Sequence, residues 1–281
     1  MSDPIATPFT DIVHPLKESD HPPVLIDASP DGAVVVRINR PQRKNAFDVA
    51  TIDALREAFT SLHGADGVRV VFVRGEGGTF CAGGDIEWMR EAAGWSEDDN
   101  RQDALGLAHM LKALHDIPAL TVALVEGAAF GGGAGLVAAC DIAVATEDAR
   151  FAFSEVRLGL TPATISPYVV RAIGPRNARV LFATGRIFGA EEALRWGLVQ
   201  EVVSDAGRLG AVQDALVAHM KACAPQAIGE AKRLVDLVEG KPIDRPLIEE
   251  TARRIAARRV SAEGQEGLTA FLEKRKPNWA V

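Results

Sequence analysis

At 281 residues, with 47% hydrophobic and 25% charged residues, the chain can bury a sizeable core and has an ordinary globular composition. A formal net charge of −7 argues against nucleic acid as the main partner. Cys81, Cys140 and Cys223 are odd in number and lack ligand-like spacing, which argues against a disulfide framework or zinc site and favours a reducing compartment.

The stretch 1–22 carries Asp3, Asp11, Glu18, Asp20 and several prolines and is expected to be a flexible leader, without the apolar or Arg-rich pattern of a targeting segment. No stretch offers the ~18 uninterrupted apolar residues of a membrane span. A cytoplasmic protein with no membrane partner is expected. The six histidines form no HxxxH or HxH cluster, so no metal is expected.

Val24–Asp27 and Ala33–Ile38 read as strands around the turn Pro30-Asp31-Gly32. After the loop Asn39–Ala46, the spacing of Ile52, Leu55, Phe59 and Leu62 predicts a helix over 48–63. A β-branched strand follows at 68–73. The glycines at 83 and 84 then lead into a helix through Trp88 and Met89, and 94–100 reads as polar loop. A helix over 102–115 is predicted with Leu105, Leu107, Met110, Leu111 and Leu114 as its buried stripe. Strand 120–125, a triple glycine, a helix and strand 142–145 come next, then an irregular stretch at 151–159. Short helices are predicted at 169–172, 176–183 and 190–196, and a last strand at 198–203.

Everything after Asp205 reads helical, over 206–222, 225–239, 245–260 and 263–275. The alternation of strands and helices predicts an α/β core over 23–204, with a helical region over 205–281. The tail's Leu216, Val217, Leu234, Leu237, Ile248 and Ile255 suit either an internal core or a contact between copies.

Two glycine-rich turns, Ala82-Gly83-Gly84-Asp85 and Phe130-Gly131-Gly132-Gly133, each follow an apolar run and lead towards helix. Simple packing of helices on strands accounts for either turn alone. Glycines there also let a ligand approach the backbone, and a helix start leaves N–H groups and a positive dipole end facing it. A phosphate cradle is disfavoured, because no GxxxxGK[ST] occurs and the glycines after 127 miss the GxGxxG register. Alternatively, each turn aims one N–H at a single carbonyl oxygen, an oxyanion hole in which one donor is worth roughly 2.7–4 kcal/mol.

Five blocks carry a resemblance: Ala82–Ile86, Gly127–Gly133, Cys140–Ala143, Phe151–Gly159 and Glu266–Arg275. They resemble, in order, the crotonase (enoyl-CoA hydratase/isomerase) superfamily, and the likeness runs from about Val24 to Asn278. The resemblance implies a spiral of ββα units with a C-terminal helical region that packs in homotrimers, or hexamers made of two trimers. It implies a coenzyme A thioester substrate, with coenzyme A entering as part of the substrate and no separate cofactor. It assigns the oxyanion donors to Gly84 and Gly132.

The basic loop Arg40, Arg43 and Lys44 matches where relatives meet the CoA adenine and phosphates, and a solvated loop is the plain alternative. Ala46, Ala82, Asp85, Ile86, Trp88 and Gly131 are expected around the thioester, and Lys274 is a second basic candidate beside Arg275 and Lys276. Glu155, among Phe151, Phe153 and Leu158, is the expected acid–base residue, with a carboxyl raised towards neutrality by apolar neighbours. The competing reading is a salt-bridged structural carboxylate.

One departure matters. Relatives with two catalytic glutamates carry one of them where this chain has Gly135. The stretches 85–90 and 154–170 resemble bacterial 3-methylglutaconyl-CoA and isohexenylglutaconyl-CoA hydratases, whose substrates carry a second carboxylate; Arg157 or Arg90 is a candidate to bind it. The resemblance thus implies a hydratase of branched or dicarboxylic enoyl thioesters that relies on Glu155 alone, with its water positioned by backbone or by the substrate's carboxylate. The rival is a Δ3,Δ2-enoyl-CoA isomerase, which one glutamate suffices to run. A non-catalytic or RNA-binding member is remote, since 102–115 has only Lys112 as a lysine.

Overall fold

The computed structural model describes residues 22–280, so the expected leader lies outside the described residues apart from Pro22. In chain order the first strands are β1 (Val24–Ala28), β2 (Ala33–Ile38), β3 (Val70–Gly75), β4 (Leu120–Val125) and β5 (Ala128–Phe130). They are followed by β6 (Ile142–Thr146), β7 (Arg150–Ala152), β8 (Phe188–Gly189) and β9 (Glu201–Val203). Helices in the first half are α1 (Val49–Ser61), α2 (Ile86–Ala92), α3 (Glu97–His115) and α4 (Gly132–Ala139). The second half adds α5 (Ser166–Thr184), α6 (Ala190–Trp196), α7 (Ala206–Met220), α8 (Pro225–Val238), α9 (Arg245–Val260) and α10 (Ala262–Leu272).

The main sheet runs β1-β2-β3-β4-β6-β9; only the β1/β2 pair is antiparallel. Residue alternation sends successive side chains to opposite faces. Val34, Val36, Val71, Val73, Ala123 and Val125 pack into a large core with α1, α3 and α4. Ala33, Val70, Phe72, Val122 and Leu124 face the other way, onto Leu209 and Met220 of α7. The strands are therefore apolar on both faces, as parallel strands covered on both sides must be. A second sheet, β5-β7-β8, carries the triple glycine at its edge.

Several expected elements shift, each for a local reason. Helix α3 begins at Glu97, five residues before the expected start, because Ser96 caps it by accepting the Asp99 N–H and three acids fill its first turn. Its buried stripe is Met110, Leu111 and Leu114; Leu107 is half-buried and Leu105 is exposed, contrary to expectation. The stretch 151–159 forms the end of β7 and a single 3-10 turn, Glu155–Leu158. The helices expected at 169–172 and 176–183 are one element, α5, broken at Gly174 (φ 74°) just before Pro175.

In the tail, Leu216 and Val217 lie against the second core. Leu234, Ile248 and Ile255 are exposed, as are Leu268, Phe271 and Leu272. An internal core therefore does not account for that half of the tail's apolar residues. Among the described residues no helix is long and apolar enough to cross a membrane.

Candidate active site

Three loops leave the C-terminal ends of adjacent parallel strands: 39–46 after β2, 76–85 after β3, and the turn after β4 that leads through β5 to α4. In open α/β sheets that edge is where ligands bind. The loops are laced together by main-chain bonds. Phe47 N–H donates to Gly83 O and Asp85 N–H to Phe47 O, both at 2.7 Å, while Ala82 N–H reaches Lys44 O at 3.0 Å. Cys81 N–H donates to Ala128 O and Phe130 N–H to Cys81 O, so the Gly83-Gly84 turn runs alongside β5 towards the triple glycine.

This lacing holds the two expected oxyanion donors in place and leaves them free. Among the described residues neither Gly84 N–H nor Gly132 N–H has a hydrogen-bond partner. Gly132 opens α4, so its N–H points out at the positive end of the helix. Both glycines sit in tight surroundings: a Cβ on Gly132 would lie 3.1 Å from the Phe47 ring, and one on Gly84 would lie 3.3 Å from Trp88 Cζ3, so either ring would have to give by a few tenths of an ångström. Gly131 takes φ 49° and donates to Ala152 O at 2.9 Å, which ties the triple glycine to the end of β7.

That tie brings in Glu155. The 3-10 turn following β7 sets its carboxyl against Gly131, where an added Cβ would meet Glu155 Oε1 at 3.4 Å. Its Oε2 is buried with no hydrogen-bond partner among the described residues, and burial raises its pKa above the ordinary carboxylate value. Glu155 makes no ion pair among the described residues, so the salt-bridge reading does not hold. An unpartnered carboxyl of this kind is disfavoured in its ionised form and suited to exchanging a proton.

One turn along α4 from Gly131, Gly135 shows the same face. A Cβ there would overlap Ile165 Cγ2 and lie 2.7 Å from Ile165 Cβ. Ile165 is 2% exposed. The space beside residue 135 is thus filled by an aliphatic side chain, and no carboxylate fits in it without moving Ile165.

The basic loop splits by role. Arg40 turns inward: its Nη2 pairs with Asp48 at 2.8 Å and Asp85 at 3.1 Å, and its Nη1 donates to Ala46 O. Asp48 caps α1 and Asp85 caps α2, so one guanidinium joins two helix starts. Burial opposes ionisation of Asp85, but the Glu87 N–H and the Arg40 charge prevail and hold its pKa below the ordinary value. Arg40 and Asp85 therefore brace the loop, and Asp85, expected at the substrate, has its carboxyl committed to the cap and the guanidinium. Arg43 stays outside and pairs with Glu87 at 3.1 Å; Lys44 is exposed.

Ala46 and Ala82 lie in the laced loops, Ile86 is 68% exposed at the start of α2, and Trp88 stands over Gly84. Arg157 and Arg90 are exposed, with the Arg157 stem along Gly185. Lys274 follows α10 with φ 56°.

Sequence reasoning missed Asn45. Fully buried with φ 56°, it accepts from Arg40 N–H and donates to Glu76 O at 2.8 Å and Thr79 O at 2.6 Å. It pins two of the three loops. Only its place in a turn, and the tolerance of Asn for a left-handed backbone, hinted at this. Asp103 was also missed: its Oδ1 accepts the Trp88 indole N–H at 3.1 Å.

A separate cleft of about 520 Å³ lies at the other end of α4, lined by His115, Cys140, Tyr168, Arg171 and Lys232 among others. Its main charges are paired, Arg171 with Asp236 at 3.0 Å and Lys232 with Asp141 at 2.7 Å. It holds neither glycine turn and not Glu155.

Comparison with known proteins identifies the family and the fold. Residues 29–281 match the family model described as enoyl-CoA hydratase/isomerase. A crotonase-family structure from Legionella pneumophila is 43% identical, covering 93% of this chain and all of the other, with a TM-score of 0.86. An enoyl-CoA hydratase from Shewanella pealeana is 36% identical, covering 92% and 96% of the two chains, with a TM-score of 0.88. The Alternaria alternata enoyl-CoA hydratase AKT6-1 is 32% identical over 87% of this chain and 80% of its own. With the free N–H pair, the lone carboxyl at the triple glycine and a match over nearly its full length, the chain belongs to the enoyl-CoA hydratase/isomerase family and has the crotonase fold.

Proposed function

We propose that this protein adds water across the C=C bond of an enoyl-CoA thioester, with Gly84 and Gly132 N–H receiving the thioester oxygen and Glu155 moving the proton at Cα. The observation that carries this is Glu155 Oε1 at the wall of the triple glycine, beside the unpartnered Gly132 N–H. Proton transfer at Cα passes through an enolate, and two preorganised donors stabilise the charge where it develops. Arg43 and Lys44, exposed on the loop next to Ala82, suit the anionic end of coenzyme A.

The acyl group is inferred to be branched or dicarboxylic, similar to 3-methylglutaconyl, with Arg157 or Arg90 as its carboxylate partner. The likeness of 85–90 and 154–170 to such hydratases supports this. A second reading, Δ3,Δ2-enoyl-CoA isomerisation, is favoured by one specific observation: Ile165 excludes a second carboxylate beside Gly135. Assembly as homotrimers or hexamers is also inferred, supported by the exposed Ile255, Leu268 and Phe271 of the helical tail.

The test is turnover of a panel of 2-enoyl and 3-enoyl thioesters, with and without a distal carboxylate, followed by the conjugated enoyl-thioester absorbance. Hydration removes that band, whereas isomerisation of a 3-enoyl substrate creates it. Equal rates on crotonyl and glutaconyl thioesters would refute the dicarboxylic preference.

A further inference from the structure

Adding water to C2=C3 needs two proton movements: the water oxygen loses one as it bonds C3, and C2 gains one. Glu155 accounts for one of them. The helix that presents the triple glycine offers no second group, since Ile165 occupies the space beside Gly135. If two carboxyls share these movements, the second comes from another element than α4.

Asp103 on α3 meets the requirements. It is half-buried, and its Oδ1 accepts the Trp88 indole N–H at 3.1 Å while no bond engages Oδ2 among the described residues. The same indole stands against Gly84, one oxyanion donor. One turn along α3, Leu107 stands against Gly132, the other donor; a Cβ there would meet Leu107 Cδ2 at 3.9 Å. The indole spans the gap, with its Nε1 at Asp103 and its Cζ3 edge at Gly84, so the Asp103 carboxyl lies about one indole length from that donor, and Leu107 on the same face of α3 reaches the other. Burial raises the Asp103 pKa, and the Trp88 bond opposes that rise only partly.

We propose that Asp103, presented by Trp88, is the second acid–base residue of this site, in place of a carboxylate on α4. The inference rests on the hydratase reading above. The Asp103 carboxylate takes a proton from water as the oxygen bonds C3, and the C2=C3 electron pair passes through C1 onto the thioester oxygen between Gly84 and Gly132. Protonated Glu155 then gives its proton to C2 as the enolate electrons return. Asp103 ends protonated and Glu155 ionised, and proton exchange with solvent resets both.

Asp103→Asn tests this, because the amide oxygen can still accept the Trp88 N–H while the base is lost. Two reactions are followed in the purified protein: hydration of the best enoyl thioester, and exchange of the Cα proton of a saturated acyl-CoA with deuterium from solvent. Exchange needs only Glu155 and the oxyanion donors. The expected result is hydration reduced by about 10²-fold or more, with exchange retained. Trp88→Phe, which keeps a ring over Gly84 but removes the N–H, is expected to lower hydration by less and to retain exchange.

Hydration by Asp103→Asn at the wild-type rate overturns the proposal. A parallel loss of both reactions also overturns it, since that marks a purely structural part. If the wild type catalyses exchange but hydrates nothing in the panel, the hydratase reading itself fails, which is a distinct outcome.

Discussion

Placing a side chain at residue 135 is the sharpest available perturbation of this site. Gly135→Ala gains helix propensity of about 0.5–1 kcal/mol. Against this, the new methyl overlaps Ile165 Cγ2 and lies 2.7 Å from its Cβ, and both residues are buried. Overpacking of a filled core costs typically 1–3 kcal/mol; an overlap of 2.2 Å reaching to the Cβ of a buried side chain takes the upper end, about 2–3 kcal/mol, so a net loss of about 1–2 kcal/mol is expected. At fixed protein concentration this lowers the thermal midpoint by roughly 2–6 °C for a chain of this size.

Gly135→Glu adds a carboxylate to the same apolar contact and loses more, so it lowers hydration instead of supplying a second acid–base group. A cycle with Ile165→Gly, which removes every overlapping atom, should show strong coupling between the two positions. Gly135→Ala at or above wild-type stability, with simple additivity in the cycle, would refute the steric account.

Other consequences follow from the same geometry. Glu155→Gln should reduce turnover by about 10²–10⁴-fold and alter the pH dependence of stability. Because burial raises the Glu155 pKa, the wild type loses stability as pH rises through that value. The glutamine variant should therefore be the more stable of the two at alkaline pH, with the gap closing in acid; thermal midpoints across pH check this. Arg40→Leu strands Asp85 in a buried setting and is expected to cost about 3 kcal/mol at neutral pH. The Asp85 pKa is depressed, so that penalty should shrink as pH falls through its range, readable by urea unfolding at two pH values. Asn45→Ala leaves the Arg40 N–H without its side-chain acceptor and the Glu76 and Thr79 carbonyls without their donor. It also forces Ala to φ 56°, so a loss of about 2–3 kcal/mol is expected by the same measurement.

Much was legible in the sequence because it is local. The continuous apolar runs in 33–38, 68–73 and 120–125 read as strands, and the spacing in 48–63 specifies α1. The two glycine turns and Glu155 are readable because each occupies a distinctive stretch of chain. Gly135 was visible too, as a position lacking a side chain. What fills the space beside it was not: Ile165 lies thirty positions downstream, and nothing in its own neighbourhood marks it. Arg40 looked like one of three equivalent cations until its reach to Asp48 and Asp85 separated it from Arg43 and Lys44. Asp103 is the second residue of the helix expected over 102–115, just after a stretch that reads as polar loop, and only the Trp88 indole singles it out. By itself the sequence indicated the strands of the main sheet and most of the helices, and marked the glycine turns as candidate oxyanion donors, because these depend on neighbours along the chain. Tertiary structure alone decided which groups lie free at the site and which are spent on bracing it, because the loops come together only once parallel strands distant in sequence are paired.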